Sequence, residues 1–547
     1  MNRLISRAML AALCVLTFAS AMSAQVGSYA ITNAKIVTVS GSVIEKGTVV
    51  IRNGLIESVG TGVRVPADAK VLDGEGMTVY PGLIDTRSSL GIPQTPARPQ
   101  GGPSAQTQQD ESISKYPEGL RPEVVAASKL KAGEAQFANQ RNAGFTTALT
   151  IEDEGIFNGQ SALINLAGES AAEMIVRSPW AQHVSFRTLR GGNFPSSLMG
   201  TFAALRQMFL DARRHAKILE MYEKDPRGMK RPDRDVSLEA LIPLLNGEQP
   251  IVFNANSERE IIRALDLAKE FGLKAFISGG QESWKVADRL KDQNVPVLLS
   301  LDFPKRTLTE HKEAEPETLE TLRLRVEVPK NPARLKQAGV NFAFHTGELK
   351  NLRDFFANAR EAVTNGLSEA DAVRAMTLSA AEIFGVEKQT GSIEAGKIAN
   401  LVVVKGDLLD EKAAVTHVFV DGKEFEPPKR PERPAGTAAG NTTGAPANVA
   451  GTWNLTIEPP GQTVGATLVL TQQGNVVTGT LSSPVFPSAP IRDGRVTANG
   501  FSFLVTVSFG GMDIDVTFDG RVTGNEVEGT ADTVQGPAAF RGTRTPR

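Results

Sequence analysis

Pro81-Gly82-Leu83-Ile84-Asp85, and far downstream Gly391-Ser392-Ile393-Glu394-Ala395-Gly396-Lys397-Ile398-Ala399-Asn400-Leu401-Val402-Val403, bracket the part of this 547-residue chain that decides its fold. Between them strands and helices alternate. Ile251 to Phe253 is a short apolar strand, and Ser257 to Phe271 carries Ile261, Ile262, Leu265, Leu267 and Ala268 as a helical stripe. Ala275 to Ile277 is the next strand, Ser283 to Asp292 the next helix, and Val295 to Leu301 a further strand. Leu352 to Asn365 predicts a helix stopped by Gly366, and Ser368 caps one running to about Phe384, stopped by Gly385. Repeated units of this size imply a parallel sheet, closed or open.

Outside the brackets the pattern is β. Ala34 to Val39 and Thr48 to Ile51 are rich in β-branched residues, and Asn53-Gly54 is a hairpin signal. Asn400 to Val404 and His417 to Val420, ending in Asp421-Gly422, are β segments as well. Two β flanks around an α/β middle imply one small composite subdomain, residues 25–80 and 390–426, around a barrel region at 81–389. Ile92 to Ser112 and Pro427 to Ala450 are rich in Pro, Gly, Ala and polar residues; the second, residues 427–450, is read as a linker. In residues 451–547, Phe501, Phe503, Val505 and Val507 alternate with Ser502, Leu504 and Thr506. Met512, Ile514, Val516 and Phe518 alternate with Asp513, Asp515, Thr517 and Asp519. About eight short antiparallel strands, forming a barrel or a sandwich, fit that tail. It has no His and no Cys, so it offers no paired nucleophile and base.

The two bracketing motifs resemble signature segments of the amidohydrolase superfamily, especially its imidazolonepropionase-like and dipeptidase-like members. The resemblance covers roughly Tyr29 to Phe425. It implies a multidomain α/β protein: a distorted, TIM-like (β/α)8 barrel with a composite β subdomain, here followed by the all-β C-terminal domain. It also implies a hydrolase of carbon–nitrogen bonds other than ordinary peptide bonds. Zinc or another divalent metal at the barrel mouth would lower the pKa of a bound water. The family takes its ligands from a His-x-His pair after strand one, single histidines after strands five and six, and an aspartate after strand eight.

At those positions this sequence departs from the family. The His-x-His pair falls on Arg87 and Ser89. The strand-five histidine falls on Asn254, near Asn256; the strand-six histidine falls on Ser278 or Gly279, depending on register; the strand-eight aspartate falls on Gly347. Strand four is not placed. A guanidinium carries a fixed charge and no available lone pair, and Ser and Asn are weak neutral donors. The chain has five histidines, His183, His215, His311, His345 and His417, of which His345 alone falls near the expected mouth. Nearby carboxylates are Asp85, Glu152, Asp153, Glu154, Glu282, Asp302 and Glu348. Asp85 is expected to pair with Arg87 where a metal would sit. The candidate pocket is therefore Asp85, Arg87, Ser89, Asn254, Asn256, Ser278, His345, Gly347 and Glu348, with no bound metal and no cofactor.

Three functional readings follow. The first is a catalytically impaired relative, a pseudoenzyme, binding a small molecule or peptide, or assembling as a homo-oligomer or as a heteromer with an active relative. The second is an active hydrolase with a metal site rebuilt from His345, Glu348 and Asp85. The third is a scaffold acting through its β tail. A net charge of −2 gives no ground for nucleic-acid partners. Arg3 and Arg7, the apolar run Met9 to Ala19 and small residues at Ala21, Ser23 and Ala24 read as a signal peptide over residues 1–24, so export to the periplasm or beyond is expected. Cys14 lies within that leader and is the single cysteine, which leaves the mature chain without disulfide or thiolate chemistry. No transmembrane segment follows the leader.

Overall fold

The computed structural model describes residues 27–93, 114–133, 135–189, 194–305, 317–347, 349, 352–427, 447–458, 463–484, 486–497, 499–509, 512–533 and 536–545. The expected leader and most of the stretches at 92–112 and 427–450 lie outside the described residues, as do His311 and Glu348. The chain forms two compact units, Met1–Pro427 and Pro428–Arg547.

The first unit opens with β1 (Tyr29–Ile36), β2 (Ile44–Arg52), β3 (Leu55–Gly60), β4 (Lys70–Asp73) and β5 (Met77–Pro81). Asn53 and Gly54 join β2 to β3 with φ of 51° and 81°, the two left-handed positions that a tight hairpin turn needs. There follow β6 (Leu83–Ser88), β7 (Phe145–Thr150), β8 (Phe157–Gln160), β9 (Ala162–Asn165), β10 (Ile175–Arg177), β11 (Gln182–Ser185), β12 (Ile251–Ala255), β13 (Ala275–Gly279), β14 (Val297–Ser300) and β15 (Phe342–His345). The unit closes with β16 (Leu401–Lys405), β17 (Ala414–Val420) and β18 (Lys423–Phe425).

One sheet has the order β18-β17-β16-β5-β1-β2-β3, with β4 also paired to β1. Its seam between the two ends of the chain is β16 against β5, antiparallel, Leu401 opposite Pro81 and Val403 opposite Val79. Ile31, Ile36, Val49, Ile51, Val79, Leu401, Val403 and Phe419 bury one face of it.

The middle of the unit holds two more sheets, β10-β9-β7-β6 and β15-β14-β13-β12-β11-β8. The run β11 to β15 is parallel throughout, whereas β9 is antiparallel to β7 and β8 antiparallel to β11. The helix after β12 spans Glu258–Phe271. Ser257 and Glu260 close a capping box at its start, and Gly272 ends it in the left-handed conformation. Ile261, Leu265 and Ala268 are buried on its inner face. The segment from Ser368 to Phe384 forms two helices, Glu369–Ala375 and Leu378–Phe384, rather than one. The break frees the Met376 carbonyl, which accepts from Ile84 N–H at 2.8 Å and anchors the start of β6.

The second unit is a closed barrel of β19 (Gly451–Glu458), β20 (Val464–Gln473), β21 (Val476–Ser483), β22 (Phe486–Thr497), β23 (Gly500–Phe509), β24 (Met512–Thr523), β25 (Glu526–Thr533) and β26 (Gly536–Arg544), each paired with the next. Closure comes from β19 against β26, Trp453 opposite Arg544 through Glu458 opposite Ala539, which removes both sheet edges. The barrel is filled: Phe501, Phe503, Phe518 and Phe540 lie at successive ring separations of 5.3, 5.2 and 5.3 Å. Trp453 is fully buried, and its indole N–H donates to Val449 O at 3.0 Å.

Because this core is made within the unit itself, residues 447–547 alone are expected to give a β-type circular dichroism spectrum and a cooperative melt. Trp453→Ala should lower the stability of that transition by about 3–5 kcal/mol and leave the transition of the first unit in place. A disordered isolated segment would show that the barrel depends on the rest of the chain.

Candidate functional site

β6 enters the site through Pro81-Gly82. A Cβ on Gly82 would lie 2.2 Å from Thr146 Oγ1, so only glycine lets the strand pass β7 this closely. The pairing of β6 with β7 is then irregular between Asp85 and Ser88, which aims Asp85 and Arg87 at different partners.

Asp85 is fully buried. Its Oδ1 accepts from the backbone N–H of Thr346 at 3.0 Å and of Arg87 at 3.3 Å. Its Oδ2 accepts from Gln140 Nε2 at 2.9 Å and from the Thr346 hydroxyl. Both oxygens are therefore committed to the contact between β6, the end of β15 and the helix Ala135–Asn142. Burial raises its pKa to about 6 against the opposing pull of those hydrogen bonds. Asp85 thus bonds Arg87 through the backbone, and the ion pair expected between the two side chains takes another form.

The Arg87 guanidinium, on a residue only 4% exposed, pairs with Asp153 Oδ1 at 2.8 Å and approaches Ser278 Oγ at 3.5 Å. Asp153 is shared: Arg187 lies 3.5 Å from the same oxygen and donates to the Asp153 carbonyl at 2.9 Å. The Arg87 stem packs on Gly347, where a Cβ would meet Arg87 O at 3.1 Å and Cγ at 3.2 Å. A side chain at 347 would have to push this arginine aside, so the two positions are sterically linked.

Two histidines lie close enough to feel that charge. His345, at the end of β15, is fully buried, and its Nδ1 accepts from Gly347 N–H at 3.2 Å. Its pKa is pushed well below the ordinary value by burial first and by the Arg87 charge second. His183, on β11, is bonded to Ser161 Oγ at 2.9 Å, and the same two causes lower its pKa to about 3. Both are neutral at physiological pH. Strand order sets Ser185, Asn254 and Ser278 side by side across β11, β12 and β13. The Oδ1 atoms of Asn254 and Asn256 crowd Gly279, at 3.3 and 2.3 Å from where a Cβ would stand. Asn254 Oδ1 and Asn256 Oδ1 are buried polar atoms with no hydrogen-bond partner among the described residues. Orphans of this kind are uncommon in folded proteins and mark places where a further polar group is wanted.

The other sequence candidates disperse. Ser89 is half-buried after β6. Glu152 pairs with Lys129, and Glu282 accepts from Glu258 N–H at the start of the helix after β12. Sequence reading gave no role to Gln140, Thr346 or Arg187 and did not place His183 at the site. Gln182–Ser185 is a four-residue strand whose one apolar residue is Val184, too short to signal itself, so the sequence alone leaves it unplaced.

A divalent ion does not fit these residues. Arg87 brings a positive charge, the Asp85 oxygens are used, and Asn254, Ser278 and Gly347 supply no strong ligand. Among the described residues, the group of His, Asp and Glu close enough to share an ion lies elsewhere, at His417, Glu424 and Glu426.

Comparison with known proteins agrees with this architecture. Residues 254–425 match the amidohydrolase family. An amidohydrolase from Thermotoga maritima MSB8 is similar in structure, with 25% identity and a TM-score of 0.61, over 73% of this chain and 100% of that one. A prolidase crystallised with N-methylphosphonate-L-proline is 19% identical with a TM-score of 0.45, over 73% of this chain and 99% of its own. A Xaa-Pro dipeptidase with methionine in its active site is 16% identical with a TM-score of 0.44, over 73% of this chain and 100% of its own. No curated protein matches the sequence. The match over residues 254–425 and the likeness to a solved amidohydrolase show that the first unit carries the amidohydrolase fold, and a closed eight-stranded β-barrel domain follows it. That match supports a hydrolase as its general class. Among the described residues no helix is long and apolar enough to cross a membrane.

Asp85 gives this site a pH signature. A carboxyl group whose pKa is higher folded than unfolded holds its proton more tightly in the native state, so stability falls as pH rises between the two values. Here the window runs from about 4 to about 6, with a cost of roughly 3 kcal/mol above it. Asp85→Asn is therefore expected to gain in melting temperature relative to the parent on going from pH 4.5 to pH 8. An unchanged difference across that range would mean that Asp85 does not titrate there.

Proposed function

We propose that this protein is a non-catalytic member of its superfamily that binds a small polar ligand, peptide or amino-acid derivative at the barrel mouth. The two central sheets are read as one distorted (β/α)8 barrel. Thr86 Oγ1 donates to Phe344 O at 3.0 Å and Thr346 N–H to Asp85, joining β6 to β15. Bonds between Ser161 and the Trp180–Ala181 segment join the other edges. The mouth is then where loops converge into a concavity. Export, read from the N-terminal residues, belongs to the same proposal.

The observation that carries the reading is the buried Arg87 guanidinium. It stands beside His345, Ser278 and Asp153, and a divalent ion placed among them would meet a fixed like charge. The rebuilt metal site is disfavoured because Asp85 faces Thr346 and Gln140. The unpartnered amide oxygens of Asn254 and Asn256 favour a ligand that brings hydrogen-bond donors. Asp153 is divided between two arginines, and this favours a ligand that also carries a carboxylate.

Thermal-shift screening of carboxylate-bearing peptides and amino-acid derivatives tests this directly. Arg87→Ala should abolish ligand-induced stabilisation. The variant should lose about 1–3 kcal/mol of intrinsic stability, because Asp153 is half-exposed and keeps Arg187. A mouth metal, seen as one equivalent of zinc or manganese lost on His345→Ala, together with turnover of an amide substrate, would overturn the proposal.

A further inference from the structure

The composite sheet carries a second cluster of ligand-type side chains, on the hairpin of β17 and β18. Phe419 pairs with Glu424 and Val418 with Phe425 across that hairpin. Residues directly opposite one another share a face, as do alternate residues on one strand. His417, Phe419, Glu424 and Glu426 therefore lie on one face. One ligand atom from each of His417, Glu424 and Glu426 falls within 4.8 Å of the others.

Two observations beyond proximity bear on what this cluster holds. The first fixes the imidazole. Val403 O, at 3.1 Å, is a closer and stronger acceptor for the one Thr416 Oγ1 proton than Met77 Sδ at 3.7 Å, so toward His417 Nδ1, 3.2 Å away, the same oxygen acts as acceptor. Nδ1 therefore carries the ring proton, and Nε2 presents a lone pair. The second is Glu424, whose side chain is nine-tenths buried. Its Oε2 binds Lys70 Nζ at 2.6 Å and the Tyr29 hydroxyl stands near the carboxylate, but Oε1 is buried with no partner within ordinary hydrogen-bond geometry and faces His417 Nε2 at 3.8 Å. A lone pair thus looks at a carboxylate oxygen across a gap too long for a hydrogen bond. A cation between them removes the repulsion.

We propose that His417, Glu424 and Glu426 form a site for a divalent transition metal, taken up by His417 Nε2 and one oxygen of each carboxylate. One imidazole with two carboxylates is a donor set for zinc or its neighbours in the first transition series, with water completing the shell. Zinc bonds of about 2.0–2.2 Å put ligand atoms roughly 3.3 Å apart, so the cluster must contract on binding. The exposed Glu426 is the arm free to move. The two carboxylates together with Lys70 carry a net single negative charge, which one divalent ion overcompensates only by one. The ion would tie β17 to Glu426 just past the end of β18, a structural role separate from the barrel mouth.

The full-length protein, stripped with chelator, should bind one equivalent of zinc by isothermal titration calorimetry. With cobalt it should develop visible absorption, and zinc should raise its melting temperature. Glu426→Gln, at an exposed position that leaves folding alone, should weaken binding by tenfold or more. His417→Ala should abolish it, and Thr416→Val should weaken it about tenfold by releasing the ring. His345→Ala should leave it unchanged, which separates this site from the barrel mouth. Absence of uptake by the parent would mean that the cation between His417 and Glu424 is a proton, and the proposal would be wrong. Binding that survives both His417→Ala and Glu426→Gln in folded protein would overturn it equally.

Discussion

Arg87 sets a permanent positive charge at the inner end of β6, and the surrounding site is arranged in accordance with it. Its stem needs the space left by Gly347, its head needs Asp153 and Ser278, and its field helps keep His345 and His183 neutral. Guanidinium is the cation best suited to this place, since it is planar, weakly hydrated and never deprotonated. A lysine there would hold a compact, strongly hydrated charge that sheds its proton when buried. A divalent ion would need anionic or imidazole ligands converging on it, and the nearest carboxylate on the same strand faces the other way.

Asp85 shows how closely this depends on local backbone geometry. On a regular strand, residues 85 and 87 share a face, and an aspartate two residues before an arginine reads as its counter-ion. The irregularity between Asp85 and Ser88 breaks that equivalence. The carboxylate then becomes a structural clasp, holding Thr346 by backbone and hydroxyl and Gln140 from the neighbouring helix. The same clasp fixes the residues after β15 and hence the place of Gly347. Asp85 thus acts on the site through position, while charge balance falls to Asp153 from a loop after β7.

The sequence made the large features legible for a physical reason. Strict alternation in Phe501 to Val507 and Met512 to Phe518 leaves a β strand with one apolar face, and the structure resolves the choice between sandwich and barrel through the β19–β26 pairing. The helical stripe in Glu258–Phe271 with its cap at Ser257 was equally plain. Legibility failed wherever tertiary contacts overrode local pattern. The Ser368–Phe384 segment breaks because the Met376 carbonyl is needed by Ile84, which no local propensity encodes. Strand β11 is four residues long, so His183 gave no sign of facing Arg87. The pairing of Arg87 with Asp153 joins a strand of irregular register to the loop after β7, and no spacing rule predicts such an irregularity.

Polar chemistry is divided between two places in the first unit, and electrostatics keeps them different. Around Arg87, a fixed cation presses the neighbouring imidazoles toward neutrality, an environment that repels metal ions. On the composite sheet the balance is reversed: carboxylates outnumber the one lysine beside them, and the imidazole turns a lone pair inward. A free divalent ion meets a like charge at the first place and an excess of opposite charge at the second. The sheet that carries the second place is built from both ends of the unit, through β16 against β5, and the next residue after β5 begins the entry of β6 to the mouth. Any tightening of the β17–β18 hairpin therefore acts on the sheet from which β6, and with it Arg87, is suspended.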